Sequence, residues 1–260
     1  MLPAQLRSKL TVRRIMKRSL FAERHPYWFV VLLEIVVIFV YLVAGTIAHF
    51  LNLANLELYG IANFGLTIIA VVLLTWMGWW KAIGFKPPNK RSDLLYFLVP
   101  FVPMFINFIP GVEITSLWHL IEILVIALMV GFVEEVFFRG LMLNAIKAHG
   151  PWKAAVITAL LFGLTHSLNA LTGKSMLDDA AQIFYAVAIG FAFAALVLQK
   201  GVLWPLVVAH FFIDFVNYIQ TPGFVYSPFW EILITVSIAV VFTAYGLFIM
   251  LQKNKEKVIQ

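Results

Sequence analysis

Apolar residues along this chain come in runs of about twenty, separated by short polar stretches. Eight such runs stand out, roughly Tyr27 to Leu51, Gly60 to Ile83, Asp93 to Ile109, Ser116 to Ala145, Trp152 to Leu171, Ala180 to Gln199, Val202 to Ile219 and Phe229 to Leu251. About twenty apolar residues at a rise of ~1.5 Å cross a hydrocarbon core ~30 Å thick. The runs lack the period-two alternation of a membrane barrel, so the pattern predicts helices. Pro100 and Pro103 interrupt the third run and make it the least regular.

Composition sharpens this picture. Of 260 residues, 62% are hydrophobic and 12% charged, against about 25% charged in an average soluble domain. The mean hydropathy is +0.94. The fold class expected is all-α, a polytopic transmembrane bundle of about eight spans. A soluble, secreted or nucleic-acid-binding life does not fit, and the eight Trp and many Phe read as lipid-facing surface. No cysteine is present, which removes disulfide and thiolate chemistry.

Charge then orients the bundle. With the N-terminus inside, 17 of the 19 Lys and Arg fall on one side, leaving Lys174 opposite and Arg139 within a span. An odd span count would destroy that segregation, so both termini are expected in the cytoplasm. The organisation expected is a basic cytoplasmic or interfacial segment at 1–26, an eight-span domain at 27–251 and a basic cytoplasmic tail at 252–260. Leu6, Leu10, Ile15 and Leu20 stand near helical spacing among the N-terminal cations, as in a helix lying on an anionic leaflet. A solvated basic tail accounts for the same residues. The start of the chain does not read as a cleavable signal peptide, and the compact loops suit a prokaryotic cell membrane.

Ionisable residues inside a span are costly and mark functional sites by default. Span four carries Glu134, Glu135 and Arg139, span five carries His166, and span seven carries His210 and Asp214. At helical rise, Glu134 lies roughly 20 Å from Lys147, His166 roughly 20 Å from Lys153, and His210 and Asp214 about 15 and 21 Å from Lys200. Three helices of alternating direction therefore deliver polar groups to about one level. Glu135 and Arg139 are i and i+4 and fit an ion pair, which leaves Glu134 about 100° round the helix to face something else. His210 and Asp214, also i and i+4, can share a cavity. Gly131, Gly140 and Gly163 allow helices to approach closely nearby.

A buried carboxylate with an imidazole can activate water, and a second imidazole can stabilise an oxyanion. No activated nucleophile is in sight, since Ser167 has neither a G-x-S-x-G nor an S-x-x-K context. Glu134, His166, His210 and Asp214 could equally ligate a divalent metal such as zinc. Buried acids and histidines also serve proton-coupled transporters, and a non-proteolytic immunity or scaffold protein could bind a membrane peptide without cutting it. Of the remaining polar residues, His119 and Glu122 read as an interfacial pair and Asp178 and Asp179 as a solvated outer loop. Glu34 and Glu231 near span ends carry no claim, and Asn217, one turn past Asp214, could add an amide.

At these residues the chain resembles the CAAX-protease and bacteriocin-processing (Abi) family of intramembrane endopeptidases. The resemblance rests on Glu134-Glu135 with Arg139, Phe162 with His166, and His210 with Asp214, in that order on separate spans. It implies that Glu134 and His166 activate the attacking water and that His210 and Asp214 form the oxyanion site. It gives Glu135 and Arg139 an architectural role, puts Phe162 beside the site as a packing residue, and makes a membrane-associated or lipidated peptide the substrate. In the prenyl-protein branch the last position is Asn. Asp214 departs from it, and an ionised carboxylate there repels an oxyanion unless it is protonated, orients His210 or binds metal.

Overall fold

The computed structural model describes residues 21–172 and 176–252. The expected interfacial helix at Leu2 to Phe21, except Phe21 itself, lies outside the described residues, as do Lys174 and the basic tail from residue 253. Within them the chain is helical and carries no strand. One isolated antiparallel bridge, Val112 with Gln220, joins two loops.

The helices are α1 (Pro26–Leu51), α2 (Asn55–Met77), α3 (Val102–Asn107), α4 (Leu117–Glu134), α5 (Pro151–Thr165), α6 (Met176–Lys200), α7 (Trp204–Tyr218) and α8 (Pro228–Leu251). Four are long and apolar enough to cross a membrane: α1, α2, residues 179–200 of α6, and α8. Their lipid-facing surface is plain in α1 and α8, where Phe39, Phe50, Phe229 and Ile232 are exposed.

The other four expected spans are shorter or broken, each for a local reason. Arg91–Phe101 is a 3-10 helix with Pro100 inside it, running into α3, whose first turn holds Pro103. Helix α4 changes to a π-helix over Glu135–Met142 and ends in one α-turn, Leu143–Ile146. Helix α5 begins at Pro151 and tightens into a 3-10 turn at His166–Thr172. Helices α5 and α7 have 15 residues each, about 22 Å of rise against a ~30 Å core. Two of the irregular segments carry Glu135, Arg139 and His166, while His210 and Asp214 lie in the short regular α7. Non-helical backbone at that depth is tolerated where protein buries it or a polar cavity receives it.

Packing places these segments at the centre. Helix α6 packs on α8 and α5, while α4 packs on α7 and α2. The approaches are close because of glycine. A β-carbon on Gly131 would stand 2.8 Å from the Phe211 nitrogen of α7, and one on Gly163 would meet Val187 and stand 3.0 Å from the Ile183 carbonyl of α6. Gly140 instead packs against Ile83 of the loop after α2. One expectation fails here: Asp178 and Asp179 belong to a helix, not a loop, and Asp179 is not solvated. Helix α6 begins at Met176, and Asp179 is 7% exposed. Helix packing has buried a residue whose local sequence reads as polar surface.

Candidate active site

The change from α to π geometry falls between two adjacent glutamates. Glu134 ends α4 and Glu135 opens the wider turn. π-bulges recur at functional sites because they re-aim side chains within a continuous helix. Here the two carboxylates take different neighbours, as their positions on the helix predict.

Glu135 is fully buried, and its Oε1 accepts from Arg139 Nη1 at 3.1 Å. The same oxygen lies 2.8 Å from His210 Nδ1. Arg139, 1% exposed, sets its guanidinium carbon 3.9 Å from the centre of the Phe162 ring. A buried pair with an aromatic face against the cation offsets much of the desolvation cost that either charge would meet alone. Glu135 and Arg139 thus form the expected ion pair. Glu135 also fixes His210, a link that spacing along α4 could not show. Asp214 does not orient His210 through Nδ1, because Glu135 occupies that nitrogen.

With Nδ1 directed at Glu135, His210 presents Nε2 to the two remaining carboxylates. Glu134 Oε2 lies 3.4 Å from it and Asp214 Oδ2 3.6 Å. Both distances are long for hydrogen bonds. Among the described residues neither Glu134 Oε2 nor Asp214 Oδ2 has a hydrogen-bond partner, although both are buried. Buried polar atoms are almost always satisfied, so two orphaned oxygens either side of one imidazole nitrogen mark a place where a water or a polar substrate atom fits.

His166 stands where α5 tightens, and its Nδ1 lies 2.8 Å from the Phe162 carbonyl oxygen. A carbonyl only accepts, so Nδ1 carries the proton and Nε2 is the nitrogen able to take one. The Phe162 ring meets His166 edge-on at 4.7 Å and His210 at 6.2 Å. Phe162 therefore supports Arg139, His166 and His210 together.

Glu134, His166, His210 and Asp214 all line one cavity of about 380 Å³. A second cavity of about 240 Å³ shares His166, His210, Asp214 and Asn217 with it but not Glu134. The two chambers meet at the histidines, and Asn217 reaches both. Sequence reading passed over several other lining residues. Thr165 donates to Glu34 Oε1 at 2.6 Å, and Tyr59 donates to Asn169, which donates to Gln182 Oε1 at 2.9 Å. Glu34 was visible as an acid in a span, but its partner lies 131 positions away. His119 and Glu122 form the expected pair at 3.4 Å, outside the cavity. Among the described residues no three His, Asp or Glu side chains are grouped so as to hold a metal ion.

A family model described as type II CAAX prenyl endopeptidase Rce1-like matches residues 116–216. The matched stretch contains Glu134, Glu135, Arg139, Phe162, His166, His210 and Asp214. No curated protein and no solved structure matches the chain.

Proposed function

We propose that the chain is an intramembrane endopeptidase of the CAAX-protease type, hydrolysing a peptide bond of a membrane-associated or lipidated peptide, a reading supported by the family model that matches residues 116–216. In this reading Glu134 takes a proton from a water held near its orphaned Oε2, with His166 Nε2 as the second basic group. The water oxygen bonds to the scissile carbonyl carbon. His210, held by Glu135 as an imidazolium with a proton on each ring nitrogen, directs Nε2–H at the oxyanion that forms, and Asp214 closes that side of the site. Collapse breaks the C–N bond, and the proton taken from water passes to the leaving amine. The reading includes eight spans and both termini in the cytoplasm of a prokaryotic cell; Asn55, Asn107, Asn169 and Tyr226, which line the two cavities, then stand toward the opposite face, against the expected opening to the cytoplasm.

The observation that carries this is the pair of unpartnered carboxylate oxygens flanking His210 Nε2 in a cavity inside an apolar bundle. Hydrolysis needs a basic oxygen, a donor and room for a peptide at one point, and all three are here. The two chambers joined at the histidines also suit a peptide whose scissile bond sits at the junction, with chain on either side.

Comparative mass spectrometry of membrane peptides from cells carrying the wild type or Glu134→Ala tests the proposal. An uncut peptide should accumulate in the variant, and the purified wild type should cut it. Cleavage that survives Glu134→Ala and His166→Ala in folded protein overturns the mechanism. Solute flux in proteoliposomes that Glu134→Gln abolishes, with no peptide cut, overturns the protease reading.

A further inference from the structure

A separate cavity of about 240 Å³ opens between the loop after α2, the last turns of α4 and the end of α6. Lys86, Lys147, Asn144 and Gly201 line it, and Arg139, already paired with Glu135, reaches its wall. It lies at the end of the bundle where Trp152 and Trp204, both exposed, begin α5 and α7. Aromatic side chains of that kind mark the headgroup level of a bilayer.

Among the described residues the two lysines lack counter-charges: neither has an ion pair or a side-chain hydrogen bond. Lys200, close by in sequence to Gly201, shows the usual arrangement: it pairs with Asp93 at 3.4 Å and lies 3.6 Å from the centre of the Tyr96 ring. Burial and the charge of Lys86 both lower the pKa of Lys147, so the two ammonium groups are near enough to repel each other. Gly201 leaves the space that Lys86 uses, whose Nζ lies 3.5 Å from where a β-carbon would stand. Outside the described residues, 1–20 contain no acid and 253–260 contain one, Glu256, among three lysines.

Two unneutralised cations and a neutral amide around one small cavity form a donor set for an anion with several oxygens. Basic pockets between helices at this level receive lipid headgroups. We propose that Lys86, Lys147 and Asn144 form a binding site for a phosphate group, carried by an anionic lipid or free in solution. The bound group would also tie the loop to the site helices. The loop is already joined to the start of α7 by the Leu203 N–H donating to the Gly84 carbonyl at 3.0 Å, and its Ile83 covers Gly140 of the π-segment.

The test uses the full chain in nanodiscs and does not depend on proteolysis. Thermal unfolding is followed in phosphatidylcholine discs, in discs containing phosphatidylglycerol, and in phosphatidylcholine discs titrated with inorganic phosphate at constant ionic strength. The wild type should be stabilised. Stabilisation by phosphatidylglycerol alone identifies the lipid as the source, and stabilisation by inorganic phosphate as well identifies the free anion as sufficient. Lys86→Gln and Lys147→Gln, both changes at exposed side chains, should each weaken the effect about tenfold, the size expected of a charge-assisted hydrogen bond. Lys81→Gln, on the same loop but outside the cavity, should leave it intact. No stabilisation of the wild type, or an equal effect in the double variant, overturns the proposal.

Discussion

Oε1 of Glu135 lies 2.8 Å from Nδ1 of His210, and the same oxygen receives Arg139 at 3.1 Å. One buried carboxylate oxygen therefore joins the π-segment of α4 to α7. Changing it touches fold and chemistry together, and the two effects can be separated. Glu135→Gln leaves Arg139 as a buried cation without its counter-ion, which should destabilise the protein by about 3–5 kcal/mol. Adding Arg139→Met removes that cation and should restore much of the stability, because contacting residues couple non-additively. It should not restore turnover, since His210 still lacks its anionic partner. Melting in detergent and peptide cleavage, measured on the two single variants and the double variant, check both statements. Recovery of both by Arg139→Met would show that Glu135 acts only as a structural counter-ion.

Glu134 behaves oppositely. Its Oε2 is buried, has no hydrogen-bond partner among the described residues and faces a second carboxylate across His210. Glu134→Gln should keep or raise Tm while cutting turnover about 10²–10⁴-fold, the range for loss of a general base. A variant that loses Tm in proportion to turnover would mark Glu134 as a structural residue.

How far the site could be read from sequence depends on the range of each interaction. The Glu135–Arg139 pair is four residues apart, and helical spacing reveals it. The Glu135–His210 bond spans 75 positions, and only packing of α4 on α7 creates it. The π-segment was likewise invisible, because a widened turn changes hydrogen-bond register without altering the apolar pattern of the run. Depth matching did bring Glu134, His166, His210 and Asp214 to one cavity, since rise per residue is a local property. It could not show that α5 is short, because hydropathy runs on through the 3-10 turn after Thr165. Asp179 misled for the same reason in reverse: its neighbours in sequence are polar, and its burial comes from tertiary packing.

Thr165 offers a check on the support beneath His166. Its hydroxyl donates to Glu34 Oε1 at 2.6 Å, and the other Glu34 oxygen is buried without a hydrogen-bond partner among the described residues. Thr165→Val removes the donor and should cost about 1–3 kcal/mol, the penalty of a buried acceptor left unsatisfied. Thr165→Ser should keep the bond and most of the stability. Thermal melting of the two variants decides the matter, and equal stability would show that Glu34 finds another donor.

Stripping divalent metal should leave turnover unaltered. The Nδ1 bonds of His166 and His210 leave each Nε2 open to a proton or a metal alike, but among the described residues no three His, Asp or Glu side chains are grouped as a ligand set. Cleavage by protein dialysed against a chelator and returned to metal-free buffer at fixed pH tests this. Loss of activity that zinc restores would move Glu134, His166, His210 and Asp214 from water activation to metal binding.

Asp214 is the position where the chain departs from the asparagine of the prenyl-protein branch. Its Oδ2 lies 3.6 Å from His210 Nε2 and has no hydrogen-bond partner among the described residues. If the oxyanion forms beside His210, a carboxylate there stabilises it only as a protonated donor, whereas an asparagine amide always offers N–H. Asp214→Asn should therefore keep or raise turnover, while Asp214→Ala should lower it about 10–100-fold through loss of one donor. Single-turnover cleavage separates these effects from product release. If Asn fails as badly as Ala, the ionised carboxylate is itself required, and Asp214 belongs with the proton-handling groups beside Glu134.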